Sequence, residues 1–207
     1  VNSEQIRQKA PTSVQSLLNT EIGIRLSNDM ALGETDFELM GMSGNNVKIL
    51  LDGIPLIDRG ATKQSLSQLD VNSIERVEIV EGPMSVVYGT DALAGVINII
   101  TKKGDGYSEE NTWRVGARVQ EESMGKEYDF FKDKGLHNES IDLGFNHKSG
   151  LFVNGGYTRN NHGGWQGDLT GREKRWHPKD QALMNGMFGF QNRNMNVWYR
   201  LDFLDEK

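Results

Sequence analysis

Residues 74–103 read IERVEIVEGPMSVVYGTDALAGVINIITKK. The opening segment has the period-2 signature of a half-buried strand, with Val77 and Ile79 on one side and Arg76 and Glu78 on the other. Glu81-Gly82-Pro83 then breaks it, because Gly82 tolerates a positive φ and Pro83 cannot donate a ladder hydrogen bond. A compact piece, 84–88, closes at Gly89, and Thr90-Asp91 begins another tight turn. Val96-Ile97-Asn98-Ile99-Ile100 is almost wholly apolar, as a strand buried on both faces is. Asn98, its one polar member, must find hydrogen-bond partners if it is buried.

Working outward, 47–51 (VKILL) reads as a second buried strand, stopped by Asp52-Gly53, a strong turn signal. Upstream of it, 22–26 (IGIRL) alternates as a strand, 27–36 reads as a loop carrying Asn28, Gly33 and three acids, and 37–39 resumes an extended segment. Residues 1–10 are polar, with Ile6 as their apolar anchor. Pro11-Thr12 starts a helix: Thr12 and Gln15 have the capping-box spacing, and Val14, Leu17 and Leu18 form one apolar stripe. Residues 57–67 read as a polar loop.

Ile74-Glu75-Arg76-Val77-Glu78, Gly82-Pro83, Tyr88-Gly89, Asp91-Ala92 and Gly95-Val96-Ile97-Asn98-Ile99-Ile100-Thr101 together closely resemble the C-terminal half of the plug domain of TonB-dependent outer-membrane transporters. Val47-Lys48-Ile49-Leu50-Leu51-Asp52-Gly53-Ile54-Pro55-Leu56 resembles that family's strand and its Asp-Gly-hydrophobic-Pro turn. The resemblance covers 5–103. It implies an α+β plug domain, a mixed sheet with short helices, over 1–106. Antiparallel β-strands from the start of a 22-stranded outer-membrane β-barrel, a size whose lumen is plugged, would then follow over 107–207.

The residues beyond the plug support this. Trp113, Val115, Ala117 and Val119 alternate with polar residues or glycine. So do Ile141, Leu143 and Phe145; Leu151, Val153 and Tyr157; Met184, Phe188 and Phe190; and Met195, Val197, Tyr199, Leu201 and Phe203. Such segments suit lipid-facing barrel strands, although a soluble sheet with one wet face has the same period. The links between runs go long (121–138), tight (147–150), long (160–181), tight (192–194). Outer-membrane barrels alternate long extracellular loops with short periplasmic turns in this way. About five strands are expected, so the chain reads as part of a longer secreted precursor.

Composition narrows the function. The net charge of −6 over 207 residues gives nucleic acid no electrostatic support. There is no cysteine, hence neither a disulfide framework nor a thiolate metal site. The four histidines, His137, His147, His162 and His177, match no metal spacing, and no nucleophile elbow or phosphate loop is present. An enzyme is not expected, and neither a cofactor nor a bound metal is called for. Asp29, Glu34 and Asp36 offer oxygen ligands but match no fixed calcium loop.

The resemblance implies ligand contacts at the outward plug apices, here Ser27, Asn28, Asp29, Glu34 and Asp36, then Asp58, Arg59, Thr62 and Lys63. In the second long loop, His162, Trp165, Trp176 and His177 pair aromatic faces with imidazoles, which suits either a planar iron chelate such as haem or the folding of the loop itself. Two positions depart from the family. It commonly has Arg before Gly where Met40-Gly41 stands, and a basic residue where Glu81 precedes Gly82-Pro83. Those cations usually face barrel carboxylates, so Met40 and Glu81 are expected at the plug–barrel contact with one charge removed and the other reversed.

The implied function is active import of a scarce nutrient across the outer membrane of a Gram-negative envelope. Gly82-Pro83 followed by Tyr88-Gly89 resembles the branch that moves metal chelates: siderophores, haem or cobalamin. The implied partners are TonB, through a motif upstream of Val1, outer-membrane lipid and the small nutrient ligand. The competing readings are a non-transport surface binding or signalling receptor, and a glycan importer of the same family.

Overall fold

The computed structural model describes residues 1–29, 34–57, 64–84, 88–104, 109–131, 134–164 and 178–207. They form two compact units, Val1–Thr101 and Lys102–Lys207.

The first unit opens with two short helices. α1 (Ser3–Lys9) is capped by Asn2, whose side chain accepts the Gln5 N–H while the Gln5 side chain accepts the Asn2 N–H. Glu4 in its first turn and Arg7 and Lys9 in its last oppose the helix dipole. The sequence reading places no helix here, and Ile6 is buried as expected. α2 (Val14–Leu18) has its capping box at Ser13 and Ser16, one residue beyond the expected pair, because those two hydroxyls cap each other's backbone N–H. Val14, Leu17 and Leu18 are fully buried, each contributing roughly 1.5–3 kcal/mol of transfer free energy.

β1 (Ile24–Asp29), β2 (Glu34–Leu39) and β3 (Met42–Ser43) form an antiparallel sheet in that order. The ladder runs from Ile24↔Leu39 to Asp29↔Glu34. The expected loop 27–36 is therefore mostly hairpin, a correction to the sequence reading. Backbone pairing extends the strands through a polar stretch that has no apolar alternation to announce it.

β4 (Val47–Leu51), β5 (Ile54–Pro55), β6 (Ile74–Glu81) and β7 (Gly95–Thr101) make a mixed sheet in the order β5-β4-β7-β6. β4 and β7 are parallel; the other pairs are antiparallel. These two central strands bury side chains on both faces, with Ile49, Ile97 and Ile99 in the main core and Leu50 and Val96 in a second cluster with Ala92. β4 and β5 are joined by Asp52 and Gly53, both at positive φ (53° and 83°), as an inverse two-residue hairpin turn requires. Gly95 is obligatory for packing: a Cβ there would lie 2.3 Å from Val80 O.

The second unit is a five-stranded antiparallel meander: β8 (Thr112–Glu122), β9 (Leu136–Asn146), β10 (Leu151–His162), β11 (Lys179–Gln191) and β12 (Asn196–Glu206). Its registers align one row of side chains after another across all five strands. On one face lie Trp113, Phe145, Val153, Phe188 and Tyr199, then Val115, Leu143, Gly155, Gly186 and Leu201, then Ala117, Ile141, Tyr157, Met184 and Phe203. On the other lie Arg114, Gly144, Asn154, Met187 and Arg200, then Gly116, Asp142, Gly156, Asn185 and Asp202.

Candidate functional site

The polarity of the meander is opposite to that of a soluble sheet. Trp113 is 76 % exposed and Leu201 59 %, whereas Asn138, Ser140, Thr158 and Gln181 are buried. A soluble sheet with one wet face buries its apolar rows. Here they form a continuous exposed patch of the kind that marks a partner or a membrane. The alternation itself was legible in the sequence; only the structure reveals which face is uncovered. Beyond the third apolar row the same face turns polar, first with Val119, Glu139, Arg159, Ala182 and Asp205, then with Glu121, His137, Asn161 and Asp180. The apolar band therefore stops toward the two long links, 123–135 and 163–178.

At that polar end the first long link is pinned to the sheet. Glu121 Oε2 lies 2.6 Å from His137 Nδ1 and accepts the Tyr128 hydroxyl at 3.1 Å. An ionised carboxylate only accepts, so Nδ1 carries the proton in this contact. Sequence reasoning passed over this cluster. Glu121 and His137 are partners only in the ladder register, which no local pattern declares. Arg159 and Asp180, neighbours across β10 and β11, add a two-pronged ion pair with contacts of 3.1 and 2.9 Å.

The plug candidates fall into three groups. Ser27, Asn28 and Asp29 pair through their backbones with Asp36, Thr35 and Glu34, so five of the named candidates converge on one hairpin end. Asp58, Arg59, Thr62 and Lys63 lie outside the described residues. Met40 and Glu81 come together at Gly23. The Met40 N–H donates to Gly23 O at 2.7 Å. A Cβ on Gly23 would lie 2.7 Å from Met40 Sδ and 3.3 Å from Glu81 Oε1. Both side chains are exposed, and Met40 holds the left-handed conformation, φ 52°. Of the loop candidates, His162 ends β10 on the polar face, between Leu136 and Lys179. Its Nδ1 accepts the Gly164 N–H at 3.0 Å. Trp165, Trp176 and His177 lie outside the described residues.

Among the described residues no cluster of histidine and carboxylate side chains has the makings of a metal site, and none of their helices is long and apolar enough to cross a membrane.

Comparison with known proteins agrees with this architecture. Residues 1–96 match the family described as TonB-dependent Receptor Plug Domain. The vitamin B12 transporter BtuB of Vibrio vulnificus (strain CMCP6) is 33% identical over 118 residues, 56% of this chain and 19% of that protein. The ferrienterobactin receptor of Escherichia coli (strain K12) is 31% identical over 121 residues, 51% of this chain and 16% of that protein. The chain thus spans less than a fifth of these relatives, which are a transporter and a receptor rather than enzymes. Among solved structures, the copper transporter OprC superposes over the whole chain and 30% of its own length with a TM-score of 0.75 at 15% identity. The siderophore receptor PirA of Pseudomonas aeruginosa does so over the whole chain and 33% of its own length, with a TM-score of 0.66 at 18% identity. Residues 1–96 belong to the TonB-dependent receptor plug domain family, and the antiparallel strands that follow share the fold of the superposed receptors.

Proposed function

We propose that the chain is part of an energised outer-membrane importer of a metal chelate, of the siderophore, haem or cobalamin type. The observation that carries this reading is the reversed polarity of the second unit, directly after a plug. Apolar rows that face outward fit lipid, and polar rows that face inward fit an aqueous passage. TonB would engage a segment upstream of Val1 and supply the driving force. The hairpin end with Ser27, Asn28, Asp29, Glu34 and Asp36 would meet the ligand on the plug, and Asp58, Arg59, Thr62 and Lys63 would contribute further contacts. His162, Trp165, Trp176 and His177 would meet it from the second long loop. The chelate is preferred over a glycan because the matched relatives are named for cobalamin and enterobactin, and because of Gly82-Pro83 and Tyr88-Gly89.

The test is uptake by a strain deleted for the gene and complemented with it, using labelled cobalamin, ferric enterobactin and haemin. Energy-dependent uptake of one chelate, lost when the proton-motive force is dissipated, supports the reading. Binding without uptake favours a signalling or adhesive receptor. Growth on an oligosaccharide with no chelate uptake favours the glycan importer.

A further inference from the structure

Residues 102–104 follow β7 and lie against the polar face of the meander, and each makes a different kind of contact there. Lys102 Nζ stands 3.9 Å from Asp142 Oδ2, a charge pair rather than a short hydrogen bond. The Lys102 carbonyl accepts Asn154 Nδ2 at 3.2 Å, and the Asn154 Oδ1 accepts Arg114 at 3.1 Å, so Arg114 fixes which way that amide points. Lys103 Nζ sits 4.8 Å from the centre of the Trp198 ring, within cation–π range. Gly104 lies flat on Phe152: a Cβ at 104 would approach the ring at 2.5 Å.

The sheet is shaped to receive this segment. A Cβ on Gly116 would lie 2.2 Å from Asp142 Oδ1. One on Gly144 would lie 2.7 Å from Asn154 Oδ1, and one on Gly189 2.5 Å from Val197 O and 2.8 Å from both Phe152 Cζ and Trp198 Cβ. Three glycines in strand interiors, where glycine costs stability, thus each vacate the space that a contact residue occupies. Ordinary barrel flexibility does not explain that coincidence; a seat does.

We propose that Arg114, Asp142, Phe152, Asn154 and Trp198 form a seat that fixes residues 102–104 and makes the end of the plug's last strand stationary while substrate passes. This rests on the importer reading. A segment held by a charge pair, an amide bond, a cation–π contact and an aromatic floor does not take part in opening the passage, so the movement belongs to other parts of the plug.

A disulfide tests it. A Cβ on Gly104 would lie 2.7 Å from Phe152 Cβ, within about 1 Å of the 3.5–4.5 Å that a disulfide spans, and the sequence has no other cysteine. In the gene-encoded full-length protein, Gly104→Cys with Phe152→Cys is expected to oxidise in the folded state and to transport equally whether oxidised or reduced. Thiols that stay free in the folded protein overturn the seat. So does uptake of labelled cobalamin or ferric enterobactin that is lost on oxidation and regained on reduction.

Limited trypsin cleavage after Lys102 and Lys103 provides a readout that needs no substrate and no cysteine. Gly144→Ala and Asn154→Ala should speed that cleavage roughly fivefold, the scale of one lost hydrogen bond, while cleavage at the exposed Lys126 stays constant. Fast cleavage at 102–103 in the parent protein, or no change in the variants, also overturns the seat. If none of labelled cobalamin, ferric enterobactin and haemin is taken up even by the parent protein, the chelate-importer reading fails. Disulfide yield and cleavage rates then still decide the seat.

Discussion

The side chain of Asn98 accepts the backbone N–H of Gly53 at 3.1 Å. It ties the middle of β7 to the turn that ends β4, and its Nδ2 donates to Glu78 Oε2 on the opposite neighbour, β6, at 3.1 Å. One amide thus bridges three strands, which accounts for a polar residue inside an otherwise apolar run. Replacing Asn98 with Leu leaves the Gly53 N–H without its acceptor. The expected cost is roughly 1–2 kcal/mol, toward the lower side because the site is half-buried. Urea unfolding of the chain measures it, and an unchanged midpoint would mean that water replaces the amide at no cost.

The same contact sets an acid limb. Hydrogen bonds from Arg76, at 2.9 Å, and from Asn98 hold the Glu78 carboxyl below the usual carboxylate range. A carboxyl depressed in the folded state stabilises above its unfolded pKa, and that contribution is lost as pH falls through the folded value. Glu78 is 45% exposed, so the effect is small and screened by salt. Melting curves from neutral pH into the acid range should converge for wild type and Glu78→Gln at the acid end. A difference that grows as pH falls would contradict the linkage.

Much of this fold was legible because its patterns are local. The alternation in 113–119 and 195–203 needs only neighbouring residues, and so does the Asp52-Gly53 turn. What stayed hidden depends on partners distant in sequence. The paired segments 27–29 and 34–36 are polar throughout, so only their ladder, Ser27↔Asp36 among its pairs, defines them. The helix at 3–9 hangs on one Asn2–Gln5 exchange and a single buried Ile6, too little apolar periodicity to register. Met40 and Glu81 were singled out separately, yet nothing in the sequence says that both lie against Gly23. The glycines at 116, 144 and 189 carry no local signal, because what each makes room for lies on a neighbouring strand.

Asp52 and Thr101 form a second bridge whose removal should cost more. Asp52 Oδ1 accepts the Thr101 N–H at 3.0 Å and Oδ2 accepts the Thr101 hydroxyl at 2.7 Å, clamping the last residue of β7. Asp52→Ala loses both charge-assisted bonds and leaves an alanine at φ 53°, a cost of roughly 2–4 kcal/mol. Asp52→Gly loses the same bonds without the backbone strain, so it should be less harmful than Ala. If Gly proves as harmful as Ala, or worse, the left-handed turn is not a source of strain.

The apolar band fixes a topology for the importer reading. Links 123–135 and 163–178 leave the charged end of the meander, whereas turns 147–150 and 192–195 leave the apolar end. In intact cells, a membrane-impermeant maleimide should label Lys126→Cys in the first long link and fail to label Ser149→Cys in the first tight turn. Labelling of Ser149→Cys from outside, with the envelope intact, would invert the assignment.

Glu81 closes β6 opposite Gly95, its carboxylate reaches toward Gly23 beside the Met40 thioether, and it makes no ion pair among the described residues. An exposed acid needs no partner here, but one covered by a barrel wall would, since a desolvated charge without a counter-ion is costly. We therefore expect Glu81 to seat against a barrel Arg or Lys, with the polarity opposite to the family's usual cation at this position. Glu81→Arg in the full-length protein should lower both uptake and melting temperature, and changing the right barrel cation to Glu should restore both. Met40→Leu keeps the apolar bulk at the same spot and should leave both unchanged, which separates lost charge from lost packing. A harmless Glu81→Arg would place this carboxylate in open water and remove it from the seating contact.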